Sequence, residues 1–586
     1  MNHTYFTAPE ALEARIAPAG LVTVTFANGL LTLNGADGAD HEVAVVKTGT
    51  TTFRVEGTAT DIGVLGQTSQ DFRGALTGVL FEGGAGADTF NATNLNPLKS
   101  FRFHGNEGVD TLSTSNLKTS ANGVVEIALG AETGSVNFFG SVTTLHGTLD
   151  IDLGGGGTAG FRSAATIIDG AVTVNGGLGA DSLAITGLTT VLKNKLTFNG
   201  GEGNDTFLGA GKSLSVQGLV ALDGGAGGNE FTFGAETNIF GKSATPGEVN
   251  VKLGEGAGTV SFLGKTTSIL GNLKIDLGAG GGSAQLKSLA TTVRDEVQFT
   301  GGEGNDVVEF AGRVSLAKAL SFTGNSGDDS LSASGALFSV KGATSMAGGS
   351  GASSFDLQPT ALALAALTVT GGTENDTVRI VADGTVAGDT SLLLGLDGTG
   401  PSSVILQSQS GLANGLKFAG ALTIDMVGAT VDVLAIANIQ VAKAFVAQTG
   451  EGVSTVDISK LNALSHFKLQ TGAGADVVNV DNINTRDFYL DTQIGADELR
   501  IERNAEFAGT SKVLGIATIL TGIGADQIRI GNAIDYANLK VSFMGAMTLD
   551  SGDGANMRND LLGANFFELA PKILSTGGTL TQTEAV

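Results

Sequence analysis

Asp88, Asp110, Asp181, Asp205, Asp306 and Asp329 each close a glycine-rich turn and are followed by alternating apolar residues, as in Gly83-Gly84-Ala85-Gly86-Ala87-Asp88-Thr89-Phe90. Carboxylate and glycine carbonyl oxygens are hard ligands of the kind Ca2+ prefers. If such turns stack, neighbouring aspartates stand about 5 Å apart, where a like-charge pair costs roughly 3 kcal/mol at an effective dielectric of about 20. A cation would relieve that repulsion, so the pairs to consider are Asp88 with Asp110, Asp181 with Asp205, and Asp306 with Asp329. The competing reading is that each Asp caps its own turn by accepting a backbone N–H, as Asx side chains do. Asn229 and Ser353 stand where the acid is expected and supply no carboxylate, which fits capping.

Other chemistry is thinner. Asp150 and Asp152 have the i, i+2 spacing that puts both carboxylates on one face of a strand, but the internal duplicate has Lys274 and Asp276 there, so the pair reads as a solvated face. Arg486, Asp487, Asp491, Arg500 and Arg503 make the most charge-dense stretch, a candidate binding or assembly surface or an ordinary salt-bridged exterior. His3, His41, His104, His146 and His466 show no ligand or triad spacing and read as surface residues. No glycine turn leads into Lys-Ser/Thr and a helix, so none is a phosphate loop.

The elements that must position these residues are set by a repeat. Acid to acid, the copies lie 22 residues apart (Asp88 to Asp110), 24 (Asp181 to Asp205) and 23 (Asp306 to Asp329), with another at Asp376 and later, more eroded copies at Asp476, Asp497 and Asp526. A longer period carries Leu149-Asp150-Ile151-Asp152-Leu153-Gly154 onto Leu273-Lys274-Ile275-Asp276-Leu277-Gly278, 124 residues on, and Leu422-Thr423-Ile424-Asp425-Met426 follows after a further 149. Insertion by a whole short unit is what a stacked solenoid tolerates, because each unit touches only its neighbours. Around Leu196-Thr197-Phe198 and Thr206-Phe207-Leu208 the apolar period is two, which specifies strands. The expected fold is therefore all-β: a single right-handed parallel β-helix (β-solenoid) over residues 31–560, with about 22 coils of some 22–25 residues, rising about 4.8 Å each. Residues 1–30 are expected to form a tag and cap, with Thr7 to Ile16 as a short helix plugging the first coil, and residues 561–586 a C-terminal cap or tail.

Composition agrees with an extended β architecture. Of 586 residues 90 are Gly and only 7 Pro, 41 % are hydrophobic and 16 % charged, too apolar for a disordered chain. Thirty-three Lys and Arg against 58 Asp and Glu leave a formal charge of −25, which repels nucleic acid and anionic lipid. With 0 Cys there are no disulfides or thiolate sites, and no apolar run reaches the ~20 residues of a membrane span.

The turns Gly200-Gly201-Glu202-Gly203-Asn204-Asp205-Thr206-Phe207 and Gly301-Gly302-Glu303-Gly304-Asn305-Asp306-Val307-Val308 resemble the nonapeptide of the repeats-in-toxin family of calcium-binding proteins. That resemblance implies secretion and bound Ca2+. The motif occurs once per coil and not in tandem, which looks more like bacterial adhesin and autotransporter-passenger β-helices. Leu12-Glu13-Ala14-Arg15 is similar to the N-terminal tag of planctomycete-like surface proteins. The expected role is a non-enzymatic, extracellular structural or adhesive element, partnered by other copies of itself or by cell-surface and matrix components. The alternatives are a β-helix polysaccharide lyase or hydrolase, and an end-to-end filament subunit. With 0 Trp and only Tyr5, Tyr489 and Tyr536, aromatic sugar platforms are scarce.

Overall fold

Apolar residues that alternate over a few positions and then meet glycine make short strands with one inward face. The structure, a computed structural model, describes residues 20–582 except 36–37, 245, 396–399, 413–414, 505, 507–508, 532–539, 561–564 and 575–578. The described residues form an all-β parallel β-solenoid of about 20 turns and contain no α-helix. They fall into two compact units, Met1–Gly179 and Ala180–Val586. The helix expected over Thr7 to Ile16 lies outside the described residues.

The second unit shows the plan in its plainest form. Each coil carries three strands, and each strand pairs in parallel with its counterpart one coil on. One ladder runs Leu196–Gly201, Val220–Gly225, Val249–Lys252, Leu273–Asp276 and Val297–Thr300. A second runs Ser182–Ile185, Thr206–Gly209, Glu230–Phe233 and Thr259–Phe262. The third runs Thr189–Leu192, Ser213–Val216, Thr237–Phe240 and Thr266–Ile269. The 149-residue offset between Asp276 and Asp425 is six steps on the first ladder, through Thr300, Thr323, Ala347, Thr370 and Leu393. Coil length is less even than the expected 22–25 residues: Val220 pairs with Val249, Thr390 with Leu422 and Ala517 with Met547. The extra residues sit in arcs between strands and leave the ladders in register. Past residue 560, Lys572–Leu574 and Thr579–Gln582 still pair with the preceding coil.

The first unit begins differently. Strands β1 (Gly20–Ala27), β2 (Leu30–Asn34), β3 (Glu42–Lys47), β4 (Thr52–Gly57), β5 (Thr60–Ile62) and β6 (Ser69–Arg73) precede β7 (Gly78–Ala85) and β8 (Thr89–Thr93). β2 and β3 are true coil strands, since β7 and β8 pair with them in parallel. On their other edges lie antiparallel partners, β1 on β2 and β4 on β3, with β6 antiparallel on β4. A solenoid end is an open row of N–H and C=O groups unless something covers it; among the described residues these antiparallel strands do so. Phe26, Phe53 and Phe72 pin the cap together, with ring centroids 5.0 to 6.0 Å apart. Arg54 on β4 donates to both carboxylate oxygens of Asp71 on the outer strand β6 at 2.7 and 3.0 Å, which leaves a polar edge.

Inward side chains stack on their counterparts to make the core. Phe445, Phe467 and Phe488 occupy one register position on successive coils, with ring centroids 5.2 and 4.9 Å apart and nearly parallel planes. Phe81 and Phe103 do the same in the first unit at 5.3 Å. Because Phe467 is held on both faces, Phe467→Ala should lower stability by about 3–5 kcal/mol in a denaturant titration; a loss below about 1 kcal/mol would contradict the stack.

Candidate functional site

The six sequence-selected aspartates do not face solvent. Asp88, Asp110, Asp181, Asp205, Asp306 and Asp329 are all buried, at 0–1 % exposure. Each lies at the end of a glycine turn, immediately before an inward-outward strand, and its side chain folds back under the turn. In Asp88, Asp110, Asp205, Asp306 and Asp329, Oδ1 accepts a backbone N–H from the preceding coil. Asp88 N–H donates to Asp110 at 2.9 Å, Asp181 N–H to Asp205 at 2.8 Å, and Asp306 N–H to Asp329 at 2.9 Å. The pairs named from spacing are thus brought together as links between coils, not caps within a single turn. Asp306 adds an own-turn contact, its Oδ2 accepting Gly302 N–H at 2.9 Å.

The column continues through residues that sequence reasoning left out of the site. Ser454 N–H donates to Asp476, Asp476 N–H to Asp497 and Asp497 N–H to Asp526. In the first unit the structure corrects one reading. Glu42 pairs with Thr89, so His41 stands in the column below Asp88. His41 is buried, not at the surface, and both its backbone N–H and its Nδ1 reach Asp88 Oδ1, at 2.9 and 2.7 Å. The signal was available: the column residue directly precedes the alternating run, here Glu42-Val43-Ala44-Val45.

The first glycine of each motif is fixed by this carboxyl. A Cβ on Gly324 would stand 1.9 Å from Asp329 Oδ2 and 2.5 Å from the Gly348 carbonyl oxygen. Gly83, Gly105, Gly200, Gly301 and Gly371 have the same relation to the acid five residues on. In the later coils Thr471, Thr492 and Thr521 take that glycine's place. Thr471 Oγ1 donates to the Thr492 carbonyl at 3.3 Å, and Thr492 Oγ1 to the Thr521 carbonyl at 3.4 Å. These copies, which read as eroded, have exchanged a glycine for a hydroxyl that bonds to the next coil.

Burial dominates the electrostatics. It pushes the Asp110 and Asp329 carboxyls up to about 7 and Asp497 up to about 6, and raises Asp205, Asp306, Asp376, Asp476 and Asp526. The accepted N–H groups oppose this only in part. The donor set does not fit Ca2+, which takes a shell of oxygens: Oδ1 of Asp88, Asp110, Asp205, Asp306 and Asp329 is engaged by an N–H dipole, and among the described residues no three His, Asp or Glu side chains converge.

The outer face offers grooves. One of about 580 Å³ runs across successive coils of the second unit, with Ala435, Asp457, Asn479 and Arg500 in register along its floor. Asn479 Nδ2 donates to Asp457 Oδ1 at 2.7 Å, and Glu498 pairs with Arg500 and Arg529 at 2.5 and 3.0 Å. Its wall, at Arg503 and Asn504, is tied down by their N–H groups on Asp481 at 2.9 and 3.1 Å. The charge-dense stretch is therefore divided: Arg500 and Arg503 line this groove, Arg486 and Asp487 line a second one with Tyr489, Leu514 and Ile516, and Asp491 accepts from the Tyr489 hydroxyl at 2.9 Å. Asp150 and Asp152 are exposed on one strand face, as expected. His104 and His146 are half-buried beside Glu82 and Asp169, at 2.9 and 2.6 Å, while His466 is exposed and His3 lies outside the described residues.

Gly324→Ala should destabilise the chain by about 2–3 kcal/mol through overpacking. The cost should shrink by about 1 kcal/mol when Asp329 is also replaced by Ala, a coupling that a double-mutant cycle reads directly; strict additivity would show that carboxyl and glycine are not in contact.

Set against known proteins, the chain matches no family model, and no curated protein or solved structure matches it.

Proposed function

We propose that this chain is a secreted, non-enzymatic structural or adhesive element of a cell surface, surface layer or matrix, wound right-handed as parallel crossovers are. What carries the reading is the use made of each coil. Inward positions are committed to the neighbouring coils, and outward positions repeat small polar residues in columns, as at Thr189, Ser213, Thr237 and Thr266. Repetition of one surface chemistry along an axis suits multivalent contact with a partner that is itself repetitive. The formal charge of −25 keeps such a surface apart from nucleic acid and anionic lipid. Calcium at the six turn aspartates remains an implication of the sequence resemblance, and their burial speaks for hydrogen bonding in its place.

A β-helix polysaccharide lyase or hydrolase has one observation in its favour, the groove over Asp457, Asn479 and Arg500. The filament reading is weakened at one end by the antiparallel cap, which removes the coil edge that a second copy would need.

Purified protein incubated with acidic and neutral polysaccharides should release no reducing ends or unsaturated sugars, and should sediment with intact cell-surface or matrix preparations. Electron microscopy of the same sample should show isolated particles and not fibres. Turnover that disappears in Asp457→Asn would replace the structural reading with the enzymatic one.

A further inference from the structure

The carboxyl column contains one position, Asn229, whose second side-chain atom is a donor. Asn229 occupies the place held by Asp205 one coil earlier, and its Oδ1 accepts Asp205 N–H at 2.7 Å. Its other atom, Nδ2, donates to the Leu253 carbonyl of the next coil at 2.8 Å. At Asp205 and Asp329 the corresponding atom is Oδ2. A Cβ built on Gly200 would be 2.1 Å from Asp205 Oδ2 and 2.7 Å from the Gly224 carbonyl oxygen, and the crowding at Gly324 between Asp329 Oδ2 and the Gly348 carbonyl is the same. In each case the carboxyl Oδ2 and the carbonyl oxygen border the same small space, and neither Oδ2 has a hydrogen-bond donor. A buried Oδ2 that carries no proton and meets no donor is left unsatisfied, which costs more than the bond itself is worth.

We propose that Asp205 and Asp329 are protonated in the folded chain and donate through Oδ2 to the Gly224 and Gly348 carbonyls, copying the amide of Asn229 and making a pH-sensitive fastener between coils.

The surroundings favour the neutral acid. Asp205 has Asp181 on one side in the column and Asn229 on the other, while Asp329 lies between Asp306 and Ser353 with Asp328 beside it. The charged neighbours that act on Asp329 are acids, and burial raises both carboxyls, Asp329 to about 7. A folded-state pKa above the usual 3.8 means that the folded chain holds protons the unfolded chain has released. The contribution is complete below about 3.8 and is lost as pH rises through the folded value, near 7 for Asp329. Stability from these groups thus falls with rising pH, opposite to a salt-bridged carboxylate.

The test compares Asp205→Asn and Asp329→Asn with Glu303→Gln, which removes one negative charge from an exposed turn position. Thermal midpoints are read at pH 5 and pH 8.5, with and without Ca2+. Asparagine donates at every pH, so both Asn variants should match the parent at pH 5 and exceed it at pH 8.5, by more than Glu303→Gln does. The infrared band of protonated carboxyl groups at pH 6 should weaken in the double variant. A lower midpoint for the Asn variants at pH 8.5, or a gain no larger than that of the surface control, would overturn the proposal. So would a Ca2+-dependent rise in the parent that the Asn variants lose, which would place a cation where we place the proton.

Discussion

Parallel pairing of each strand with its own counterpart one coil later is the constraint on which everything else rests. The backbone ladder holds successive coils about 4.8 Å apart, so a residue cannot choose its vertical neighbour: it meets whatever the sequence places about two dozen positions on. Phenylalanines then stack face to face, as Phe445, Phe467 and Phe488 do, because offset stacking suits that spacing. Glycines must follow glycines at tight corners, since the Gly130 carbonyl oxygen lies 1.4 Å from where a Cβ on Gly154 would stand.

The same constraint converts an ordinary turn acid into an inter-coil link. An Asp that would cap its own turn in an isolated hairpin finds the N–H of the coil before it within reach, and the glycine five residues earlier leaves room for its carboxyl. Burial follows from the stacking and not from any apolar pocket: each carboxyl is roofed and floored by backbone. That is why the acids are shifted upward in a protein with an excess of negative charge, and why an amide at Asn229 or a hydroxyl at Ser353 can stand in the column without breaking it. Chains of this kind keep polar atoms inside at small cost provided each has its partner.

Much of this was legible in the residues. The period of about 24, the alternation within strands and the Gly-to-Asp spacing together specify stacked parallel coils and place Asp88, Asp110, Asp205 and Asp329 beside their counterparts. What was not legible has physical reasons. Strands β1 and β4 alternate like coil strands, and only their pairing direction, which composition does not encode, makes them part of a cap. The buried position of the aspartates was not visible in the Gly-Gly-x-Gly-x-Asp pattern itself; Asn229, which puts an amide donor where the acids have Oδ2, is the residue in the column that favours hydrogen bonding. The glycine-to-threonine exchange at Thr471, Thr492 and Thr521 read as decay because the bond that compensates it is made to another coil. The groove over Asp457 and Arg500 arises from register across coils, which no local motif announces.

The absence of cysteine makes the stacking directly measurable. Lys274, Thr368 and Thr423 occupy one ladder position, with Thr368 four coils and Thr423 six coils beyond Lys274. Spin labels on cysteines introduced at 274 with 368, and at 274 with 423, should give electron–electron distances of about 19 Å and about 29 Å, growing by about 4.8 Å per coil. Distances that follow sequence separation, or that do not grow with the number of intervening coils, would contradict the stacked architecture and every role assigned to it.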